Sequence, residues 1–255
     1  MINTSNEPVV KMIGICKKFG ANQALKEVDF ILNKNEIVGL VGDNGAGKST
    51  LIKILTGIYP ADKGDIYIDG KKVNWRMPLQ ARAAGIETVY QDLALVNLMS
   101  MSRTFFLGKE LIKNHYFRIL DKKKMEVESI KSLQALGIKL PNPSEIVGNL
   151  SGGQKQSVAL ARSIYFGAKL LILDEPTASL SIKESQKVLN IIKEIKKKGV
   201  SIIFITHNIY HVYSVADRFT ILERGEKIKD IEKKYATPED IIKIITTGKA
   251  ESSNN

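Results

Sequence analysis

The stretch GDNGAGKST, residues 42 to 50, restricts what this chain can fold into more than any other segment. It fits the pattern GxxxxGK[ST] at Gly42, Gly47, Lys48 and Ser49. The apolar run IVGLV stands directly before it, and TLIKILTG, from Thr50 to Gly57, reads as the helix that follows. Strand, glycine-rich turn and helix in that order make a cradle for phosphates, because glycines let backbone N–H groups point inward and the helix presents its positive end. Lys48 is expected to reach the terminal phosphates and Ser49 to bind Mg2+. Asp43, Asn44, Gly45, Ala46 and Thr50 are expected to line the same nucleotide. A surface loop can imitate part of this pattern, but one with a strand before it and a helix after it rarely does.

LLILDEP, residues 170 to 176, reads as a buried strand carrying Asp174 to its tip. That carboxylate is placed to hold a magnesium shell, and Glu175 to polarise water beyond a terminal phosphate. An Asp-Glu pair after a strand can also simply cap a turn; beside a phosphate loop, both carboxylates have a ligand to serve. His207 follows the strand-like SIIFIT and is a candidate for contacting the terminal phosphate or orienting water. A lone histidine there can equally be a surface or packing residue. Gln91 stands after IETVY in the same way; its role of completing the magnesium shell or reporting the occupied state, like that of His207, depends on the family resemblance given below.

With 255 residues and 44% hydrophobic residues, the chain has room for one substantial core with a smaller lobe. No apolar run approaches the roughly 20 residues that cross a bilayer, and MINTSNEPVV lacks the marks of a secretion signal, so the chain is expected to be soluble and cytosolic. Cys16 lies in the strand-like VKMIGICKKF and is expected to be a small buried hydrophobe rather than a nucleophile. Three histidines make a histidine-rich metal site an unattractive reading. The formal charge of +11 permits attraction to nucleic acid or an anionic surface, yet Lys and Arg are dispersed. The densest run, KEIKKKG at 193 to 199, ends a predicted helix and there complements its negative end. No zinc-finger spacing, basic zipper or RNA-binding aromatic signature accompanies the charge.

PVVKMIGICKKFG, EVDFILNKNEIVGLVG and GDIYIDG predict short strands between Gly and Asn turns. From about Leu98 to Phe166 the chain turns polar with helical spacing, notably in DKKKMEVESIKSLQALG, and is expected to form an inserted helical lobe. KLLILDE, GVSIIFITH and DRFTILERGE then resume strand-like runs, the first two separated by a helix from about Ile182 to Lys198. Alternation of that kind argues for an α/β fold with a largely parallel sheet. Thr237, Pro238 and Asp240 predict a capped helix start, and ESSNN a flexible end.

At LSGGQKQ, residues 150 to 156, the sequence resembles the signature of the ATP-binding cassette (ABC) superfamily. Read alone, the stretch is a helix cap with Ser151 at its head. The remaining motifs agree with the superfamily in order: Phe19 resembles its adenine-stacking aromatic, Gly42 to Thr50 its phosphate loop and Gln91 its glutamine loop. Asp174 and Glu175 resemble its acidic pair, and His207 its switch histidine. The resemblance implies a P-loop NTPase core with a mixed, largely parallel sheet, an N-terminal antiparallel β subdomain and an inserted helical subdomain. Residues 1–97 and 167–247 would form the core, 98–166 the inserted signature subdomain and 248–255 a flexible tail, together one ATPase domain. It further implies that Ser151, Gly152, Gly153 and Gln154 face the ATP of a second subunit, so that ATP and Mg2+ are used by a dimer. Phe19 could still be core or turn filler. The segment that in most members reads S-A-L-D is here Ala178, Ser179, Leu180 and Ser181, so the carboxylate expected at the dimer interface is absent. Ser181 and Glu184 keep the spacing of a capping box.

VYQDLALVNLMSMSRTFFLGKE and ALARSIYFGAKLLILDEPTASLSIKES narrow the resemblance to ATPase subunits of ribose-, fructose- and xylose-type sugar importers. Such a subunit sits peripherally on the cytoplasmic face of the membrane, powers a separate permease, and works with an external sugar-binding protein. Apolar residues such as Leu95 would meet the permease or pack within the lobe. An importer for another solute, such as an amino acid, stays open, as does a soluble ABC ATPase acting on nucleic acid or ribosomes. Direct nucleic-acid binding is not expected, and a nonenzymatic regulatory subunit is disfavoured by Lys48, Asp174, Glu175 and His207.

Overall fold

The computed structural model describes residues 8–114, 116, 119–139 and 142–248. Residues 1–7 of the segment read for targeting and 249–255 of the expected tail 248–255 therefore lie outside the described residues, while Gly248 is described as the cap of the last helix.

The chain opens with two long strands, β1 (Val10–Phe19) and β2 (Asn22–Leu32), paired antiparallel. Their alternating burial reflects one face set against a core, as a period-two pattern requires. There follow β3 (Ile37–Val41), α1 (Lys48–Leu55), β4 (Lys63–Ile68), β5 (Lys71–Val73), α2 (Pro78–Ala83) and β6 (Ile86–Val89). Then come α3 (Met101–Phe105), β7 (Ile112–Asn114), β8 (Ile119–Leu120), α4 (Lys122–Gln134) and α5 (Gly152–Tyr165). The chain continues through β9 (Leu170–Asp174), α6 (Ile182–Lys197), β10 (Ser201–Ile205), α7 (Ile209–Tyr213), β11 (Arg218–Glu223), β12 (Glu226–Glu232) and α8 (Pro238–Thr247).

Two sheets carry most of these strands. One is antiparallel in the order β2-β1-β4-β5. The other is six-stranded, in the order β12-β11-β3-β10-β9-β6. In it β3, β9, β10 and β11 run parallel, with β12 antiparallel at the edge. The mixed, largely parallel α/β architecture expected from the sequence is thus present, with its separate antiparallel sheet near the N-terminus. Strands β3 and β10 are buried at every residue, as parallel strands sheathed on both faces should be.

The described residues divide into two compact units, one drawn from 8–88, 169–175 and 196–248, the other from those described within 89–168 and 176–195. The core of the first includes Val10, Phe30, Leu40, Leu51, Ile172 and Ile203, all at most 1% exposed. Each fully buried side chain of this size contributes about 1.5–3 kcal/mol. Arg218 ties its strands together, donating to both carboxylate oxygens of Glu36 at 2.8 and 3.0 Å and to Asp230 at 2.7 Å. Cys16 is half-buried rather than buried, and its sulfur accepts the Glu27 N–H at 3.3 Å. The correction follows from register: β1 and β2 shift pairing at several points, which loosens the in-out alternation around it.

In the second unit, Phe105, Phe106, Tyr165 and Phe166 form an aromatic cluster with ring centroids 5.1–6.3 Å apart. Arg162 on α5 donates to the carbonyls of Phe105 and Leu107 at 2.9 and 2.8 Å, satisfying groups at the end of α3. The β7–β8 hairpin is an addition to the helical reading of this segment. Its strands are too short for a period-two signal. No helix among the described residues is long and apolar enough to cross a membrane.

Candidate functional site

Strand β3 delivers the glycine-rich loop at its C-terminal end, the end at which open parallel sheets bind ligands. The loop turns through Gly42 and Gly47, at φ 142° and 103°, where only glycine is unstrained. A Cβ at Gly47 would stand 2.7 Å from the Leu25 side chain and 2.9 Å from the Ala24 carbonyl oxygen, so the loop's back is pressed onto β2. Gly47 also caps α1, accepting the Leu51 N–H at 2.9 Å. The helix expected from Thr50 begins at Lys48, so Lys48, Ser49 and Thr50 form its first turn. Their amides are those a helix leaves without an internal acceptor, at the end that carries partial positive charge. Asp43, Asn44, Gly45 and Ser49 are exposed, and Ala46 is buried beneath them.

The Lys48 ammonium folds onto this loop, donating to the carbonyls of Gly42 at 2.6 Å and Asp43 at 2.8 Å. Burial draws its pKa below the ordinary value, against the pull of Glu175, Asp43 and Asp174. Asp174, at the tip of β9, is displaced the other way. Burial raises its pKa, the charge of Glu175 adds to the rise, and Lys48 and Lys53 oppose it.

Glu175 sits just past the strand at φ 50°, its own N–H donating to the Ile205 carbonyl at 2.9 Å. Parallel pairing sets Ile205 opposite Asp174, so the residues after both strands meet. The Glu175 carboxylate accepts from Thr206 Oγ1 at 2.8 Å and from the His207 N–H at 3.0 Å. His207 Nδ1 lies 2.8 Å from the same carboxylate, with the ring largely exposed. Four predicted residues from three chain segments therefore stand together: Lys48, Asp174, Glu175 and His207. Thr206, which sequence reasoning passed over, completes the clamp; its position directly before His207 at a strand end was the available signal.

This arrangement suits a magnesium nucleotide. Mg2+ is usually held by one or two carboxylates together with substrate phosphates. A desolvated carboxylate raised by a neighbouring negative charge is relieved by a cation, and a desolvated ammonium beside loop amides by phosphate.

The other predicted residues fall elsewhere. Phe19 ends β1, 43% exposed, edge-on to Tyr59 with ring centroids 5.2 Å apart. Gln91 lies on an exposed bend after β6, in the second unit. In that unit Ser151 caps α5: its hydroxyl accepts the Gln154 N–H at 3.3 Å, and the Gln154 side chain accepts the Ser151 N–H at 2.8 Å. Leu180 lies against Gly152, where an added Cβ would meet its methyl at 2.8 Å. Ser179 adopts φ 60° and Ala178 is half-buried. The expected capping box at Ser181 is formed, with Glu184 accepting from the Ser181 hydroxyl at 2.9 Å and from its N–H at 3.2 Å. Glu184 also accepts the Gly153 N–H at 3.3 Å, a long-range contact that local spacing could not reveal. Ser151, Gly153, Gln154 and Glu184 border a cavity of about 680 Å³.

Comparison with known proteins identifies the family. The family profile described as ABC transporter matches residues 25–178. The chain is 48% identical over 231 residues to the xylose/arabinose import ATP-binding protein XylG of Sulfolobus acidocaldarius, covering 91% of each. It is 42% identical over 250 residues to the fructose import ATP-binding protein FrcA of Rhizobium meliloti, covering 96% of each. Among solved structures it resembles the ADP conformation of the ATP-binding cassette MJ1267, with TM-score 0.80, 27% identity and coverage of 94% and 96%. It also resembles the dimeric, post-hydrolysis cassette MJ0796 bound to ADP and phosphate, with TM-score 0.71, 25% identity and coverage of 88% and 98%. With a profile match over most of its length and relatives this close, the chain belongs to the ABC transporter family, as one of its ATP-binding and ATP-hydrolysing domains.

Proposed function

We propose that this chain is the ATPase subunit of a membrane sugar importer, in which two copies close head to tail on two ATP molecules and drive a separate permease. The observation that carries the enzymatic part is the clamp on Glu175: Thr206 and His207 fix its carboxylate next to Asp174 and within the field of Lys48. Phosphoryl transfer to water needs little covalent help, so the protein's task is to place the water in line and neutralise charge. Glu175 polarises the attacking water. His207 orients it or bonds the terminal phosphate, and Lys48 with the loop amides takes up charge on that phosphate. Mg2+, which Asp174 and Ser49 would hold, would supply further charge neutralisation. Phe19 provides a stacking surface for adenine.

Residues 98–166 act in this reading as the inserted signature subdomain, with residues 1–97 and 167–247 as the core. Ser151, Gly152, Gly153 and Gln154 meet the ATP of the partner copy, and Ala178 to Ser181 lie along the dimer seam. Apolar residues such as Leu95 receive the permease, which keeps the chain at the cytoplasmic face of the membrane. An external binding protein delivers the sugar, and nucleic acid has no part. Support for a sugar cargo is the identity to XylG and FrcA, whose names specify xylose or arabinose and fructose.

The test is uptake of labelled xylose, arabinose, fructose and ribose by cells lacking this chain. Loss of uptake of one of them, restored by the wild-type chain but not by Lys48→Ala, is the expected result. Intact uptake of every sugar, with loss of an amino acid instead, would discard the sugar assignment and leave the ATPase standing.

A further inference from the structure

The family resemblance expects a carboxylate at position 181, where this chain has Ser181. Three residues on, Glu184 turns back into its own subunit. One oxygen accepts from the Ser181 hydroxyl and N–H at 2.9 and 3.2 Å, and the other accepts the Gly153 N–H at 3.3 Å. Its aliphatic stem lies flat on Gly153: a Cβ there would stand 2.9 Å from Glu184 Cβ and 3.0 Å from Cγ. Leu180 covers Gly152 in the same manner. A single side chain thus joins the turn that opens α6 to the turn that opens α5, 31 residues away. A helix cap would need only the contacts to Ser181. The contact to Gly153 is surplus to capping, and it sits on the residues proposed to meet the partner's ATP.

We propose that Glu184 is a positioning residue for the composite ATP site: it sets the signature turn, Ser151 to Gly153, in register with the segment 178–181 so that both reach the partner copy together. The inference rests on the head-to-tail dimer proposed above. The hydrogen bonds from Ser151, Ser181 and Gly153 hold the Glu184 carboxyl well below the ordinary range, at about 2, so the contact persists across physiological pH. Glu184 touches no reacting atom; it acts through the backbone it holds. In its absence each copy would still bind MgATP through its own phosphate loop, and the turn offered to the other copy would be loose.

The experiment measures two quantities in a Glu175→Gln background: MgATP affinity, and the dimer dissociation constant at saturating MgATP by analytical ultracentrifugation. Glu184→Ala is expected to weaken ATP-dependent dimerisation about tenfold or more while moving MgATP affinity of the monomer less than twofold, tenfold corresponding to about 1.4 kcal/mol. Glu184→Gln, which keeps the stem and one acceptor oxygen, is expected to fall between. In wild-type Glu175 protein the same substitutions should lower kcat and leave KM for ATP nearly unchanged. Ser181→Ala and Glu184→Ala combined should cost less than the sum of the two, as partners in one network do. Unchanged dimerisation with a lowered Tm would reduce Glu184 to a helix cap and overturn the inference alone. A parent Glu175→Gln protein that stays monomeric at saturating MgATP would remove the head-to-tail reading, and this inference with it.

Discussion

The tip of β9 and the start of α6 each present a carboxylate within ten residues of one another in sequence, and the fold treats them in opposite ways. Asp174 is drawn out of water beside another negative charge, and its pKa rises. Glu184 is half-buried and surrounded by donors from Ser151, Ser181 and Gly153, and its pKa falls to about 2. The first region holds charge under tension, with Lys48 displaced in the complementary direction, and in the proposed function a ligand bringing both phosphate and a cation would relieve it. The second is already satisfied by the protein itself. The difference separates a place built to receive charge from a place built to keep a backbone in one shape.

The largest expected effect breaks the first region outright. Lys48→Ala should reduce phosphate release by at least about 10²-fold, the size of loss seen when one preorganised electrostatic partner is removed. Glu175→Gln comes next: turnover should fall by about 10²–10⁴-fold, as for loss of a general base, while MgATP binding measured with a fluorescent analogue persists. Equal loss of binding and turnover would return Glu175 to a turn-capping role. Smaller is Gly153→Ala in the second region, where the added methyl runs into the Glu184 stem. Overpacking of this kind costs about 1–3 kcal/mol, and it should appear in the ATP-dependent dimer constant more than in Tm.

The smallest effect sharpens the comparison most, because its sign differs between the two carboxylates. With its pKa raised above 3.8, Asp174 holds its proton longer in the folded state, so stability falls as pH rises through that window. Asp174→Asn should therefore raise Tm of the nucleotide-free protein at pH 7 by about 1–2 °C, and the gain should vanish below pH 3.8. Glu184 has the opposite linkage. Its depressed pKa contributes stability that is full above 4.5 and lost as pH falls toward about 2. Glu184→Gln should lower Tm at neutral pH, with the difference closing in that acid range. Parallel behaviour of the two variants across pH would erase the distinction.

Much of this was legible from local order. The phosphate loop is nine consecutive residues with a strand before and a helix after, and its chemistry depends on backbone turns that only that glycine spacing allows. The helix caps at Ser151, Ser181 and Thr237 are local relations over a few residues, and each forms as expected, all three closing as capping boxes. The hairpin of β7 and β8, and the half-burial of Cys16, were not legible, since both are set by pairing register rather than by composition.

The sequence by itself determined which residues are the candidates for phosphate chemistry, because loop, acidic pair and helix caps are encoded over a few neighbouring positions. Only the tertiary structure decided what holds them. Parallel pairing of β9 with β10 closes Thr206 and His207 on Glu175, and the packing of α6 on two glycines turns Glu184 toward Gly153. Both contacts join residues about thirty positions apart, a distance over which side-chain periodicity carries no information and strand register and close packing carry all of it.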